Sequence, residues 1–379
     1  MADVYVIGTD MIRFGRFDDA TPPQLAAQAA LLALDDAGLK ISAMEAVYSG
    51  NCGETMVGQR MLQLIGQTGV PVVNVTNACA TGATAFREGW IAIKAGLYDL
   101  VLAVGSEKMA KGMLVRKNTA GEAVPSEGLI GSGTMPAVFA QMGLEHSRLY
   151  GTTAQQFARV SVKNHHHSTL NPKAMYQKET PLEEVMGSDM IAYPNTKLMC
   201  SVNVDGAAAA VLCSERKVRE LGLMDRAIRV RASALASDPF SEHNFVMPDV
   251  NTVTRLAAKT AYDMAGIGPR ELDLVELHDC FATAEIVHYE NLGLCGDGEG
   301  GTLLDSGATA LGGRIPVNVS GGLLSKGHPL GATGIANIYE IVTHLRGRAG
   351  KRQVESARIG MTHVVGLGSA CAVHILEKP

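Results

Sequence analysis

Ala37-Gly38-Leu39, a short charged spacer, then Val47-Tyr48-Ser49-Gly50-Asn51-Cys52 is a stretch that the chain carries twice. The second copy is Ala265-Gly266-Ile267, a similar spacer, and Val275-Glu276-Leu277-His278-Asp279-Cys280, with both ends offset by 228 residues. Further along, Val73-Asn74-Val75-Thr76 matches Val317-Asn318-Val319-Ser320. Gly82-Ala83-Thr84 then matches Gly331-Ala332-Thr333 after a five-residue insertion. Self-similarity on this scale marks a duplicated architecture.

Each copy reads helix, strand, helix, strand, helix, strand. Residues 23–38 carry helical apolar spacing, and 72–76 and 99–105 are short apolar runs of buried-strand type. The alternation predicts an α/β fold with a mostly parallel sheet covered on both faces, built twice around a pseudo-twofold axis. The halves are 1–225 and 226–379, and the first holds an ordered insertion at about 107–196, expected over the sheet edge. Thr180, Pro181 and Glu183 predict a helix start by a capping box. Residues 198–202 and 207–213 are expected to return to the first copy's sheet as strands. The helices starting near Ala80 and Leu330 open on Ala, Gly and Thr. So much glycine is costly on a solvent-facing helix, so the two are read as a central layer whose backbones touch.

The 379 residues are 46% apolar and 19% charged, with a formal charge of −5. Disorder is excluded on that composition. The mild acidity and 5% aromatic content leave no footprint for nucleic acid. Seven widely spaced cysteines without a CxxC pair argue against a disulfide framework or a zinc site, so no metal is expected. No run of 18 apolar residues is present, and no leader or peroxisomal address is read at the ends, so a cytoplasmic protein without a membrane span is expected.

Cys79 follows a predicted strand and opens a predicted buried helix, where free N–H groups and the helix dipole favour a thiolate. From position alone it reads equally as a nucleophile or an inert buried thiol. His328 lies at the equivalent junction of the second copy, with Pro329 at a helix start. The duplication predicts that the two junctions meet, giving a Cys/His pair of activated-nucleophile type. His278 and Cys280 end the predicted strand 274–277, where parallel sheets place ligands. A structural turn is the competing reading. Gly296–Gly301 fits a GxGxxG pattern but follows a helix-like segment and carries two acids, against a dinucleotide site. The tract 163–173, with three consecutive histidines, reads as a cationic loop near an anionic ligand rather than a metal tract.

Taken together, Asn77-Ala-Cys-Ala-Thr-Gly82, His278-Asp-Cys-Phe281, Gly321-Gly-Leu-Leu-Ser-Lys-Gly-His-Pro-Leu-Gly-Ala-Thr-Gly334 and His363-Val-Val-Gly-Leu-Gly368 resemble the thiolase superfamily, and within it the sterol-carrier-protein-type thiolases and acetyl-CoA acetyltransferases. The resemblance runs from Ala26 to Ile375. It implies a five-layer αβαβα fold, a homodimer or homotetramer, and Claisen chemistry on acyl-CoA, with coenzyme A and acyl-CoA as substrates and no tightly bound cofactor. It implies Cys79 as the acyl-accepting nucleophile, His328 as its base and an oxyanion donor, Cys280 as the acid/base at the α-carbon, and His278 as the holder of a catalytic water. The N–H groups of Cys79 and Gly366 resemble a second oxyanion hole. Residues contacting coenzyme A are not read. Val364 stands where many thiolases carry the cysteine of a Cys-x-Gly motif, and where nearer relatives tend to carry Asn. Two alternatives stay open: a thiolase-like retro-aldolase acting on an acyl-CoA ester such as a steroid side chain with an OB-fold zinc protein partner, and a non-catalytic lipid- or acyl-CoA-binding subunit. Retention of Cys79, Cys280 and His328 favours acyl transfer.

Overall fold

The computed structural model describes residues 3–109, 135–240 and 250–379, so 110–134 of the expected insertion lie outside the described residues. Eleven strands are present among them: β1 (Val4–Met11), β2 (Ala46–Gly50), β3 (Val72–Val75), β4 (Leu100–Glu107), β5 (Met190–Ala192), β6 (Asn195–Thr196), β7 (Gly206–Ser214), β8 (Ile228–Ala236), β9 (Leu274–Glu276), β10 (Ile359–Gly366) and β11 (Ala370–Glu377). Nine of them form one sheet in the order β3-β2-β4-β7-β1-β8-β11-β10-β9, and β5 pairs with β6. Read outward from the β1–β8 seam, the order is the same on both sides. β7 answers β11, β4 answers β10 and β2 answers β9. Val317 bridges Val275 in parallel, at the place β3 holds in the first half.

Each half-sheet is mixed, which corrects the mostly parallel expectation. β2 runs parallel to β3 and β4, but β7 is antiparallel to both β4 and β1. In the second half β9 and β10 are parallel, and β10 and β11 antiparallel. Only residues 367–369 separate β10 from β11, and so short a link can only make a hairpin. Residues 198–202 form no strand: Lys197–Met199 is a 3₁₀ turn, and only β7 rejoins the sheet.

Two helices, Thr81–Lys94 and Leu330–Leu345, lie between the half-sheets. Their glycines are required by contact. A Cβ on Gly82 would lie 2.6 Å from the Gly331 carbonyl oxygen, and one on Gly334 would overlap the Ala83 backbone. Three cores separate the layers. One joins Pro22–Ala37 and Val57–Ile65 to the first half-sheet. The second surrounds the central helices with both half-sheets. The third joins the second half-sheet to Val250–Ala265 and Ala282–Asn291. The result is helix, sheet, helix, sheet, helix, as expected.

The insertion supplies helices Met135–Tyr150, Ala154–Thr169 and Leu182–Gly187. These helices pack on the second half, where Phe139, Phe157 and Val160 belong to the core. The expected capping box at Thr180 does not form. Pro181 occupies the N-cap position, and the Thr180 hydroxyl turns back to the Lys178 carbonyl at 3.4 Å. The 163–169 tract is helical, not a cationic loop. His167 donates through Nδ1 to the Asn318 carbonyl and accepts the Leu311 N–H at Nε2, and burial lowers its pKa to about 3.

Candidate active site

Between β3 and the Thr81–Lys94 helix the chain turns sharply over residues 77–80. Ala78 sits at φ 48, a left-handed conformation that a non-glycine residue adopts at a cost of about 1–2 kcal/mol. The turn is held from several sides. Thr81 N–H donates to the Ala78 carbonyl at 3.1 Å, and Asn77 N–H donates to Thr81 Oγ1 at 2.7 Å. The Cys52 thiol, 3.2 Å from the Ala78 carbonyl, braces it from behind. On its other side passes Gly366, where any Cβ would overlap the Asn77 carbonyl oxygen. This arrangement presents Cys79 toward the backbone N–H of Leu367.

His328 arrives from the turn Gly322–Lys326, which uses left-handed glycines at 321, 322 and 327. Its N–H donates to the Val202 carbonyl at 2.9 Å, and Nδ1 lies 2.7 Å from Thr333 Oγ1. The Thr333 hydroxyl gives its own proton to the Pro329 carbonyl at 2.9 Å. Oγ1 must therefore accept from His328 Nδ1–H. This fixes the tautomer and leaves a lone pair on Nε2.

His278 and Cys280 lie just past β9. Asp279 between them clamps their turn to the one preceding His328: its carboxylate accepts the Leu323 and Leu324 N–H groups at 2.7 and 3.3 Å, and the Asn164 amide at 2.8 Å. Cys280 is buried, and its carbonyl accepts the Ser201 N–H at 2.8 Å. The His278 and His328 rings meet edge to face, 5.3 Å between centroids. The Cys79 sulfur and one ring nitrogen of each histidine all lie within 4.8 Å of one another. Neither nitrogen of His278, nor Nε2 of His328, has a hydrogen-bond partner among the described residues. The expected meeting of the two junctions therefore occurs.

The electrostatics correct one expectation. Cys79 is not a standing thiolate. Burial, reinforced by the neighbouring Cys52, pushes its pKa up to about 12, against the opposing backbone N–H groups of Cys79 and Leu367. Dry surroundings outweigh the turn's dipoles here. Burial also raises the Cys280 thiol, and a charge on Cys79 would add to the penalty. Burial, then Lys326, takes His328 down to about 3, and burial lowers His278. The resting centre is thus two thiols and two neutral imidazoles, with a lone pair on His328 Nε2.

Thr333, Asp279 and Glu107 escaped the sequence reading. Glu107, buried at the end of β4, accepts the Gly331 N–H at 3.1 Å and the Cys52 N–H at 2.9 Å, tying the second half's helix tip to the first half. A hydroxyl five residues beyond a helix-start histidine was the available signal for Thr333. Val364 packs with Cys79, Ala80 and Ala370 as an apolar wall. Gly296–Gly301 forms a turn into the short helix Gly300–Asp305 rather than a strand-to-helix loop. The sequence spacing named no metal ligands, yet Cys79, His278 and His328 offer one sulfur and two nitrogens at one point.

A family model described as Thiolase, N-terminal domain, matches residues 4–193, and Thiolase C-terminal domain-like matches 241–378. An acetyl-CoA acetyltransferase of Methanothermobacter thermautotrophicus is 41% identical over 391 residues, covering 100% of both chains. This chain belongs to the thiolase family. Human sterol carrier protein 2 is 40% identical over 392 residues, covering 99% of this chain and 72% of that protein. Among solved structures, the Ltp2-ChsH2(DUF35) aldolase shares the fold, with TM-score 0.85 and 22% identity over 99% of this chain and 98% of that one. The match places this thiolase beside both acetyltransferase and sterol-carrier-protein relatives.

Proposed function

We propose that this thiolase is an acyl-CoA C-acyltransferase that makes or cleaves a carbon–carbon bond through an acyl-Cys79 intermediate. The observation that carries the reading is the Cys79–His278–His328 cluster, with His328 held in the tautomer whose Nε2 is a base. Cys79 attacks the thioester carbonyl, its proton passes to His328 Nε2, and coenzyme A leaves as a thiol carrying that proton. The α-carbon of a second acyl-CoA then attacks the buried acyl-cysteine and releases the Cys79 sulfur; Cys280 gives its thiol proton to that sulfur and takes the α-proton in its place. Charge gathers on the thioester oxygens, where preorganised donors are each worth about 2.7–4 kcal/mol. We assign one such hole to a water held by His278, joined by His328 Nε2–H while that nitrogen carries the Cys79 proton, and the other to the N–H groups of Cys79 and Gly366.

Incubation with acetyl-CoA is expected to add an acetyl group to the Cys79 peptide, detected by mass spectrometry. Absence of label with several acyl-CoA donors, also after adding back any co-purifying subunit, would remove this reading. In Cys280→Ala, labelling is expected to persist while carbon–carbon bond formation collapses. Loss of both steps, or of neither, would reject the Cys280 assignment.

The fold likeness to the aldolase supports a second reading, retro-aldol cleavage of an acyl-CoA ester with an OB-fold zinc protein. Co-purification of such a partner together with an unlabelled Cys79 is the result that would favour it. A homodimer is our reading of the assembly. β3 is an outer strand with Val73 exposed, and Met56 and Leu64 are exposed in the same region of the sequence; such an edge invites a second chain.

A further inference from the structure

We propose that the acyl-free centre is also a binding site for a thiophilic divalent cation of zinc's class, and that its occupation shuts off acyl transfer. The metal site stands on geometry alone, whereas the inhibition rests on the acyltransferase reading above. Zinc is bound by thiolate sulfur and imidazole nitrogen, at about 2.3 Å and about 2.0–2.1 Å. Tetrahedral bonds of that length hold the donor atoms about 3.3–3.6 Å apart. Here the three donors lie within 4.8 Å of one another, so side-chain torsions of modest size complete the site. No other such trio of His, Cys, Asp or Glu side chains comes together among the described residues.

The second observation is independent of spacing. His278 is 1% exposed and both its ring nitrogens lack a partner among the described residues, as does Nε2 of His328, also 1% exposed. Buried polar atoms left unpaired cost about 1–3 kcal/mol each, and a cation between them would relieve that cost. His328 is also dressed as zinc-binding imidazoles are. Its distal N–H is donated to an oxygen, Thr333 Oγ1, which orients the ring and raises the basicity of the other nitrogen. On binding, the Cys79 proton leaves to solvent, the sulfur and the Nε2 lone pair are taken by the metal, and water fills the fourth position. Nucleophile and base are withdrawn together. An acylated Cys79 has no anionic sulfur to offer, so acyl group and metal exclude each other.

The test titrates metal-free, full-length protein with Co²⁺ alone, read by its thiolate charge-transfer and tetrahedral d–d absorption. One equivalent with a single-thiolate spectrum is expected, displaced by Zn²⁺. Cys79→Ser should abolish the charge-transfer band, and His278→Ala and His328→Ala should each weaken binding at least about tenfold. Cys295→Ser, a half-buried thiol away from the centre, should change nothing. A spectrum that survives Cys79→Ser, or that disappears in Cys295→Ser, would overturn the proposal. Should a variant fail to fold, wild-type protein decides. Zn²⁺ must slow iodoacetamide alkylation of Cys79 at least about tenfold, reversed by chelator, and unchanged alkylation overturns the site. These readouts need no acyl donor. A chain that binds Co²⁺ through Cys79 yet takes no acetyl group would defeat the acyltransferase reading and the inhibition with it, and leave the metal site standing.

Discussion

The Thr333 hydroxyl has one proton and spends it on the Pro329 carbonyl, so the His328 ring has no choice of tautomer. Thr333→Val keeps the shape and deletes the acceptor. The ring can then carry its proton on Nε2, where it cannot act as a base. The rate of Cys79 acetylation is expected to fall about 10- to 100-fold, with KM for acetyl-CoA little changed and Thr333→Ser restoring the rate. Equal rates in Thr333→Val would remove the tautomer argument. Cys79 and His328 were legible as residues because duplication put both at matching junctions. The protonation state of Cys79 was not legible. A helix-dipole argument counts the donors near a sulfur, and sequence does not show how little water reaches it.

At the scale of elements, two turns hold the second half's share of the proposed centre, and Asp279 fastens one to the other through the Leu323 and Leu324 N–H groups. Asp279→Asn would set an amide donor among N–H donors, at a cost of about 1–3 kcal/mol for a buried mismatch. We expect a lower melting temperature together with a loss of kcat, as His278, Cys280 and His328 lose register, measured by thermal unfolding and steady-state kinetics. An unchanged kcat at a lowered melting temperature would make Asp279 purely structural. Buried strands were legible as apolar runs, and the central helices from their glycines. Strand direction was not. Ala207–Ala210 reads the same forward or backward, so its residues do not tell that β7 runs antiparallel to β4. The insertion's true neighbours were hidden likewise, because Phe139 and Phe157 show only that they seek a core, not which one.

For the whole molecule, the interior is crowded with neutral imidazoles. Burial takes His167, His288, His328 and His374 down to about 3, and His344 to about 4. In the unfolded chain histidine titrates near about 6.5. Below that pH the unfolded state binds protons that the native state refuses, so stability present above it drains away as pH falls, by about 1.4 kcal/mol per pH unit for each such ring. Asp36 adds to this at lower pH. Burial works against its charge, but Arg346 prevails and the carboxyl is held below its usual range, so its contribution fades as acid protonates it. Urea midpoints at pH 7.5, 6 and 5 are expected to drop steeply, and a flat series would mean that these rings are hydrated. The duplication has one more consequence. Cys52 is the counterpart of Cys280, yet its thiol leans on the Ala78 carbonyl behind Cys79. Of two corners related by the pseudo-twofold axis, one holds the proton carrier we propose and the other is a buttress, so change at position 52 should be felt as a shaken Cys79, never as a missing proton carrier.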